Sequence, residues 1–589
     1  NEQMKVSDII SNFLVSKSIT KCFGIIGSAN SHIYDSCLSN NVEIINVHNE
    51  QAAVMAAGAY FKTTGKLSAA IVTAGGGVTN SVTGIVSAWA DSTPVLIFSG
   101  QESVSFVQEH DSRRMYGTQG LDIVHMVSKN TKYAKTLMYA SEVQTQLEHM
   151  YFAAVNGRPG PSLLDVPFDV QSKDVDYRIW KTIHYTTFNQ DFYDFFTLIK
   201  TASRPVILAG QGVKLSNSVD LFKNFIETFK APVMLTWSAI DLLPDSHPLY
   251  MGRPGVYGQR HANFIFQKSD VLIVLGSRLT LPQSGYDFKE IGVNTKIVMV
   301  DIDPSEFKSF AYLCYHTDCN HFLNTVQKLE FSNNEWLTEC NEIKNRFPVV
   351  DEYHVDDRFP NSYKIIDKMS DYLDDDHIVV TDMGTALLSG HQAIRMKEGM
   401  TMFSSYGLGE MGYGLPAALG AAISSPDRNV LCLNCDGGMM MNLQELQTII
   451  QHKLKVKIVI FNNDGYLMIK HTQKMLFNNS TAVDADTGIV LPDYMKVAKA
   501  FGYDRFQVKT WDDFHFHFPR FIKNDTPAIC EIFMHPNQEF IPKVKGVLKS
   551  DGTIFAPPIE EMSPILPMSV IEDVMGDNIS KKSSMILRN

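Results

Sequence analysis

The sequence of 589 residues predicts an α/β fold with three doubly wound parallel-sheet domains and a C-terminal extension. Short apolar runs alternate with helical patterns along most of the chain, as at 69–73 (AAIVT), 205–209 (PVILA) and 457–461 (KIVIF). Continuous runs of Val, Ile and Leu that are separated by helices are typical of parallel strands buried on both faces. The length is also sufficient for three or four domains of ordinary size.

Two changes in composition divide the chain. A polar, aromatic stretch follows Phe168, and 333–357 is first charged and helical and then irregular. We therefore predict domains at 1–172, 188–340 and 358–540. Beyond these the periodicity fades, and 541–589 is predicted to be an extended, partly mobile C-terminal extension.

Composition and charge exclude several classes of protein. Hydrophobic residues make up 44% and charged residues 20% of the chain, which is typical of a folded, soluble protein. The net charge of −12 gives no general attraction for nucleic acid or anionic membrane. Eight cysteines are too few for a disulfide framework. No apolar run reaches the roughly 18 residues of a membrane span and no signal peptide pattern begins the chain, so we predict a cytoplasmic location.

Polar side chains follow two strand patterns in the last third of the chain. Asp436 comes directly after the run 430–434 (VLCLN), and Asn463 follows the run 457–461. If these strands are neighbours, both side chains emerge at the carboxyl edge of the sheet, where open α/β sheets bind ligands. One carboxylate and one amide oxygen suit Mg²⁺, which takes its other ligands from phosphates, a backbone carbonyl and water. Gly437 and Gly438 would let backbone N–H groups approach a diphosphate.

The simpler alternative is that Asp-Gly and Asn-Asp-Gly are turns at strand ends. The spacing favours a site, because one helix and one strand separate Asp436 from Asn463. This pattern resembles the diphosphate and Mg²⁺ motif of thiamine-diphosphate (ThDP) enzymes, usually GDG followed by NN, with Cys435 in place of the first glycine. The resemblance implies that Asp436, Asn463 and the backbone of Gly465 hold Mg²⁺.

A second stretch strengthens this resemblance. The segments 23–28 (FGIIGS) and 47–53 (VHNEQAA) are similar to the start of the pyrimidine-binding domain of ThDP enzymes. Glu50 matches the glutamate that meets N1′ of the cofactor and promotes the tautomer that removes the C2 proton. A partly desolvated carboxyl group suits this proton exchange. The alternative is that Glu50 only stabilises the first turn of a helix.

The resemblance covers the chain to about residue 540 and is closest to the acetolactate synthase branch. It rests on 74–80 (AGGGVTN), 90–101 (ADSTPVLIFSGQ), 269–278 (SDVLIVLGSR) and 404–420 (SSYGLGEMGYGLPAALG). It implies a pyrimidine-binding, a middle and a diphosphate-binding domain, in that order. Met411 matches the residue that bends ThDP, and Gly409 lies in the same cofactor segment. Read as a G-x-G-x-x-G motif, 407–412 lacks the acidic residue expected about 20 positions later in a dinucleotide site.

Two positions depart from biosynthetic acetolactate synthases. The second arginine of the family segment GARFDDRVTG is replaced by Pro282, and the M-x-x-x-W pattern appears as Met468 with Thr472. Losing a cation and a wide indole favours a different or larger acceptor. Gln119 matches a glutamine on the substrate side, with an ordinary polar loop residue as the alternative. The stretch 551–564 (DGTIFAPPIEEMSP) loosely resembles the tails of acetolactate-synthase-like carboligases associated with branched sugars of surface polysaccharides, with lineage drift as the alternative.

The sequence therefore predicts a ThDP- and Mg²⁺-dependent carboligase. It would decarboxylate a 2-keto acid, pyruvate being expected, and transfer the two-carbon unit to a carbonyl acceptor. The acceptor could be a second small molecule or a large one such as a nucleotide-linked keto sugar. A flavin-dependent 2-keto acid oxidase with FAD in the middle domain is the second enzyme class. The non-enzyme alternative, a silent subunit, fits poorly because Glu50, Asp436 and Asn463 are all present. The resemblance also implies a homodimer or homotetramer with its active sites between chains.

Overall fold

The computed structural model describes residues 2–109, 113–280 and 291–588. Three parallel sheets follow one another along the chain, and apolar clusters lie on both faces of each sheet. This confirms the predicted α/β class. No helix within the described ranges has the length and apolarity that spanning a bilayer would require.

The first sheet has six parallel strands. After a short β1 (Glu2–Lys5), they are β2 (Lys21–Gly24), β3 (Glu43–Asn46), β4 (Ala69–Val72), β5 (Val95–Gln101), β6 (Tyr133–Thr136) and β7 (Pro161–Pro167). Their order is β3-β2-β4-β5-β7-β6. Strand β1 pairs with β8 (Asp174–Tyr177) in an antiparallel ribbon. The central strands β4, β5 and β7 are buried along their whole length, which explains their continuous apolar sequences.

The second sheet has five parallel strands. They are β9 (Pro205–Ala209), β10 (Val233–Leu235), β11 (Val271–Leu275), β12 (Lys296–Asp301) and β13 (Leu313–His316), in the order β10-β9-β11-β12-β13. The carboxyl ends of the neighbouring strands β9 and β11 lie close together, where the backbone N–H of Gly210 donates a hydrogen bond to the carbonyl of Leu275. A cleft lies at this edge of the sheet.

The third sheet has six parallel strands and carries the second half of the predicted site. They are β14 (Ile378–Thr381), β15 (Thr401–Phe403), β16 (Val430–Cys435), β17 (Val456–Asn462), β18 (Asp504–Val508) and β19 (Ala528–Phe533). The order β15-β14-β16-β17-β19-β18 makes β16 and β17 neighbours, as the predicted pairing of Asp436 and Asn463 requires.

Helices connect the strands and cover both faces of the sheets. Around the first sheet they are Val6–Ser16, Ser31–Ser39, Glu50–Thr64, Gly76–Thr79, Val82–Ala90, Val104–Gln108, Ile123–Val127, Val143–Val155 and Phe168–Gln171. Around the second sheet they are Tyr193–Ile199, Gly212–Leu215, Val219–Phe229, Arg260–Lys268, Cys319–Val326 and Asn334–Arg346. Around the third sheet they are Ser362–Ser370, Thr385–Ala393, Gly414–Ser424, Glu445–Gln451, Leu467–Phe477, Tyr494–Phe501 and Trp511–Ile522.

The first and third sheets are joined by small residues. The helix Glu50–Thr64 packs against Gly414–Ser424, and a Cβ atom at Gly420 would overlap the backbone of Ala56. Residues of both helices belong to one apolar cluster. The helix that begins at Glu50 is therefore packed directly on the domain of the third sheet.

The C-terminal segment does not form the expected extended tail. After a short hairpin, β20 (Val547–Leu548) and β21 (Ile554–Phe555), it forms the helix Met568–Met575. Ile571 and Met575 are buried in the same cluster as residues of the second sheet. The hydrophobic periodicity of the sequence fades in this segment because its backbone is irregular. The segment nonetheless packs against the middle domain.

Candidate active site

The three predicted metal-binding residues meet at the edge shared by β16 and β17. The Oδ2 atom of Asp436 accepts a hydrogen bond of 2.8 Å from the backbone N–H of Gly465. The Nδ2 atom of Asn463 donates one of 2.7 Å to the carbonyl of Gly465. Asp436 is 1% exposed, and burial raises the pKa of its carboxyl group to about 7. Its Oδ1 atom is buried without a hydrogen-bond partner among the described residues, so this oxygen is available to a ligand.

Close packing and backbone conformation explain why glycine occupies three positions at this edge. Gly465 has φ +113°, which is a conformation that other residues rarely adopt. A Cβ atom at Gly437 would lie 2.5 Å from the ring of Tyr466, and one at Gly438 would lie 2.8 Å from a carboxylate oxygen of Asp382. The turn can therefore adopt this shape only with glycine at these positions.

A third strand end adds residues that the sequence reasoning missed. Asp382 follows β14, is fully buried, and accepts hydrogen bonds from the backbone N–H groups of Met383 (2.7 Å), Gly412 (3.0 Å) and Gly414 (2.8 Å). The hydroxyl group of Thr385 donates to the Oδ1 atom of Asn463 at 3.3 Å. The pattern 378–384 (IVVTDMG), a strand followed by Asp-x-Gly, is the signal that could have identified this edge.

Cys435, which departs from the family motif, contacts the same edge. Its Sγ atom accepts a hydrogen bond of 3.4 Å from the backbone N–H of Ala386 and donates one of 3.2 Å to the carbonyl of Met383. The side chain therefore lies beneath the backbone at Gly384, which starts the helix Thr385–Ala393.

Glu50 is the first residue of the helix Glu50–Thr64. The cap of this helix is Asn49, whose side chain accepts the backbone N–H of Gln51 at 3.0 Å, so Glu50 is not needed for capping. Glu50 is 9% exposed. Its Oε1 atom accepts a hydrogen bond of 3.3 Å from Asn80, another residue that the sequence reasoning missed.

Gln119 lies beside the same loop. Its Nε2 atom donates a hydrogen bond of 3.0 Å to the carbonyl of Ala74, and its side chain lies next to Gly75. Glu50 approaches Gly77 in the same segment. The structure thus brings Glu50 and Gln119 to one glycine-rich loop of the first domain.

The segment with Gly409 and Met411 links both halves of the chain. Gly407 donates its N–H to Asp91 at 2.7 Å, whereas Gly412 is held by Asp382. Gly409 has φ +68° and lies close to the sulfur of Met383, and Met411 is half-buried. No hydrogen bond within the described ranges joins Glu50 to Asp436, Asn463 or Gly465.

A cleft of about 1010 Å³ lies among the three domains, at the carboxyl edge of the second sheet. Its walls include Arg158, Lys214, Trp237, Tyr257, Asp301 and Met468. The hydroxyl group of Thr472 donates to the carbonyl of Met468 at 3.2 Å, and its side chain is exposed one helical turn away from the cleft. Of the predicted substrate-side residues, Met468 therefore lines the cleft, whereas Thr472 and Gln119 do not. Pro282 lies outside the described residues.

Comparisons with known proteins agree with this architecture. Three family models match: the N-terminal TPP binding domain of thiamine pyrophosphate enzymes at 4–126, their central domain at 194–326 and their C-terminal TPP binding domain at 382–532. The chain belongs to the thiamine pyrophosphate enzyme family, which confirms the expected dependence on thiamine diphosphate.

Several individual proteins that are similar to this chain are large subunits of acetolactate synthases. The chain is 28% identical over 527 residues to the acetolactate synthase isozyme 2 large subunit of Escherichia coli, which covers 88% of this chain and 93% of that protein. It is 28% identical over 565 residues to the acetolactate synthase large subunit of Lactococcus lactis, covering 93% and 96%. It is 29% identical over 555 residues to the E. coli isozyme 1 large subunit, covering 91% and 95%. The chain is thus similar to these large subunits over nearly their full length.

Proposed function

We propose that this protein is a carboligase that uses ThDP and Mg²⁺ to decarboxylate a 2-keto acid, with pyruvate as the donor, and to join the two-carbon unit to a carbonyl acceptor. The observation that carries the proposal is the unpartnered Oδ1 atom of Asp436, buried beside Asn463 and Gly465 at one sheet edge. A buried carboxylate oxygen without a hydrogen-bond partner destabilises the folded state unless a ligand contacts it. The similarity to acetolactate synthases supports the type of reaction.

The residues at this edge fit a magnesium ion. All their available ligand atoms are hard oxygens: the carboxylate of Asp436, the amide oxygen of Asn463 and the carbonyl of Gly465. Mg²⁺ prefers such ligands and completes its shell with phosphate oxygens and water. These three residues would hold the metal against the diphosphate. Gly409 and Met411 would contact the cofactor from the neighbouring segment.

Glu50 would hold and move the proton at N1′ of the aminopyrimidine ring. Its carboxyl group is nearly buried and has Asn80 as its side-chain partner, so it can face a ligand from the end of its helix. When bound, ThDP supplies a thiazolium ring that accepts the electron pair left by decarboxylation. Gln119, which lies beside the same glycine-rich loop as Glu50, would contact the substrate.

A second copy of the chain would complete the site. The diphosphate half is bordered by exposed apolar side chains: Leu408 is 39%, Met440 46% and Met441 40% exposed. Such side chains beside a polar site are typical of a surface that another protein covers. Because no hydrogen bond joins Glu50 to Asp436 within one chain, we propose a homodimer or homotetramer in which Glu50 serves the partner's cofactor.

The cleft beside the middle sheet supports a second candidate function, a flavin-dependent 2-keto acid oxidase. The cleft lies beyond the carboxyl ends of β9, β11 and β12, where open α/β sheets bind nucleotides. Asp301, at the end of β12, lines it, and burial raises the pKa of that carboxyl group to about 6. In this function FAD would bind along these walls. The same cleft, which Met468 lines, has room for a large acceptor such as a nucleotide-linked keto sugar.

Product analysis would test these functions. Purified protein would receive isotopically labelled pyruvate, ThDP and Mg²⁺ with a panel of keto acids, aldehydes and nucleotide-linked keto sugars. A carboligase gives a labelled product two carbons longer than its acceptor, whereas an oxidase gives peroxide in proportion to CO₂. Absence of CO₂ release from every 2-keto acid tested would contradict the proposed function.

A further inference from the structure

The segment 407–412 (GLGEMG) combines a flexible composition with a fixed conformation. Three of its six residues are glycines, and Gly409 and Gly412 have φ values of +68° and +96°. Ordering a glycine costs more backbone entropy than ordering any other residue. Because Gly409 and Met411 are the proposed cofactor contacts, any interaction that already holds this segment in place would favour binding of the cofactor.

Two buried carboxylates hold the ends of this segment. At its start, Asp91 of the first domain accepts the backbone N–H of Gly407 at 2.7 Å. At its end, Asp382 of the third domain accepts the backbone N–H of Gly412 at 3.0 Å. These hydrogen bonds lie on either side of 408–411, where the proposed cofactor contacts are. The middle of the segment therefore needs an anchor of its own.

Glu410 has the one polar side chain of the sequence GLGEMG, and it connects the middle of the segment to the first domain. Its Oε2 atom accepts a hydrogen bond of 2.6 Å from the hydroxyl group of Ser405. The Oγ atom of Ser405 lies 3.2 Å from that of Ser87, on the helix Val82–Ala90 of the first domain. Ser87 and Ser405 are both buried. A chain of three polar side chains thus crosses the boundary between the two domains.

The position of the Glu410 carboxyl group is unfavourable for the fold itself. Its Oε1 atom is buried and has no hydrogen-bond partner among the described residues. Burial raises the pKa of this carboxyl group, whereas the hydroxyl groups of Ser405 and Ser87 lower it, as does the charge of Lys62. A buried carboxylate oxygen without a partner destabilises the folded state, and residues of this kind are expected mainly at functional sites. A hydrophobic residue at position 410 would avoid this cost.

We propose that Glu410 is a positioning residue, which holds the segment 407–412 through Ser405 and Ser87 in the conformation that contacts ThDP. This inference rests on the proposed function and adds to it a residue that acts through its neighbours. The hydrogen bond from Ser405 is the essential contact, so an amide oxygen at position 410 can replace the carboxylate. Without such an acceptor the segment would be held at its two ends alone, and binding of ThDP would have to order its middle.

The test measures the unliganded protein and the ThDP complex separately. For the unliganded protein, thermal unfolding gives Tm, and hydrogen–deuterium exchange with mass spectrometry follows the backbone amides of 406–412. For the complex, titration calorimetry at saturating Mg²⁺ gives the Kd of ThDP, and NMR after acid quenching gives the rate of C2 proton exchange at saturating ThDP. The variants are Glu410→Met, Glu410→Gln, Ser405→Ala and the double variant Glu410→Met with Ser405→Ala. Glu539→Met, which removes an exposed glutamate, is the matched control.

We expect Glu410→Met to weaken ThDP binding about 10-fold, the usual scale for losing one hydrogen bond to a charged group. C2 exchange should slow by about the same factor, since a cofactor held less firmly is less well oriented. The amides of 406–412 should exchange faster, yet Tm of the unliganded protein should not fall, because an unsatisfied carboxylate oxygen has been removed. Glu410→Gln should keep Kd and the exchange rate within about threefold of the wild type. The double variant should bind ThDP no more than about twofold more weakly than Glu410→Met, because both substitutions break one contact.

Three outcomes would overturn the role of Glu410 and leave the proposed function intact. They are wild-type Kd and C2 exchange in Glu410→Met, equal losses in Glu410→Gln and Glu410→Met, and a fall in Tm that accompanies the loss of affinity. The last of these would show that Glu410 supports the fold as a whole instead of the segment 407–412. If the wild type itself failed to bind ThDP, the proposed function would be wrong instead.

Discussion

The backbone N–H of His48 lies 3.2 Å from each carboxylate oxygen of Glu445, and this contact joins the first domain to the third. Glu445 is fully buried and also accepts a hydrogen bond from Thr448 at 2.8 Å. Three residues earlier, Asn442 accepts a hydrogen bond of 3.4 Å from Gln51. The two residues that flank the Asn49–Glu50 pair, His48 and Gln51, are thus fixed to the segment 442–445 that follows Asp436. The position of Glu50 depends on contacts across the domain boundary.

Asp436→Asn should weaken Mg²⁺-dependent ThDP binding by at least about 100-fold, because an amide supplies one neutral ligand atom in place of a charged one. Asparagine can still accept the N–H of Gly465, so thermal unfolding of the unliganded protein should change little. Titration calorimetry with ThDP at fixed Mg²⁺ measures the effect. Asp464→Asn, at an exposed neighbouring position, is the control. Equal ThDP affinity in Asp436→Asn and the wild type would refute the metal assignment.

Glu50→Gln should keep most of the ThDP affinity and lower the rate of C2 proton exchange by about two orders of magnitude, the usual contribution of a positioned acid or base. The amide keeps the shape and the contact with Asn80 but cannot transfer the proton. Hydrogen–deuterium exchange at C2 is followed by NMR after acid quenching. The exposed Glu43→Gln serves for comparison. Wild-type exchange in Glu50→Gln would exclude this proton-transfer role.

Lys62→Met should destabilise the fold by about 3–5 kcal/mol, because it leaves the buried carboxylate of Asp91 without its cation. The Lys62–Asp91 ion pair is 2.6 Å long, and its side chains are 8% and 5% exposed. Burial opposes the charged form of Lys62, but Asp91 and Tyr413 outweigh it and raise the pKa of the ammonium group. Urea unfolding measures the change.

The exposed pair Lys223–Glu398 provides the control for this substitution. Its side chains are 38% and 67% exposed, so Lys223→Met should cost less than about 1 kcal/mol. The double variant Lys62→Met with Asp91→Leu should recover part of the loss, since no unpaired charge remains buried. Equal effects of Lys62→Met and Lys223→Met would show that the buried pair contributes no more than a surface pair.

Stability should fall in acid, partly through His391. Burial lowers the pKa of this histidine to about 3, the carbonyl of Leu387 raises it slightly, and Arg253 lowers it. Between the unfolded pKa of about 6.5 and the folded value, the unfolded chain binds the extra proton, so stability decreases as the pH falls. From about pH 6 to about pH 5, the wild type should lose up to about 1.4 kcal/mol more than His391→Gln.

Urea unfolding at several pH values, followed by tryptophan fluorescence, checks this difference. His391 contacts the carbonyl of Leu387 and the hydroxyl group of Tyr406, each at 2.8 Å, so both ring nitrogens are satisfied in the neutral form. Parallel curves for His391→Gln and the wild type would show that His391 titrates normally in the folded protein.

Local sequence predicted the sheets and one edge of the site. Strands β16 and β17 are continuous apolar runs, and each is followed by a polar residue at its carboxyl end. Parallel strands bring such residues together whatever the rest of the fold, so Asp436 and Asn463 could be paired from their spacing. The roles of these residues and of Glu50 stay predictions that the experiments above test.

Contacts between distant segments could not be predicted in this way. Asn80 meets Glu50 only through the packing of two helices, and Thr385 meets Asn463 only because β14 lies beside β16. Neither Asn80 nor Thr385 belongs to a sequence motif that would predict its contact. The exposure of Thr472 depends likewise on which face of its helix packs inward.

The middle domain is discontinuous in sequence, because its helix Arg260–Lys268 is completed by the end of the chain. Asn263 donates a hydrogen bond of 2.8 Å to the carbonyl of Ile559, and Arg260 donates one of 2.9 Å to that of Pro564. Without these carbonyl acceptors the buried donors of Asn263 and Arg260 would be unsatisfied, which would destabilise the folded domain. During synthesis this domain therefore cannot reach its final state until 559–564 have left the ribosome, so it matures only after the strands of the third sheet have been made.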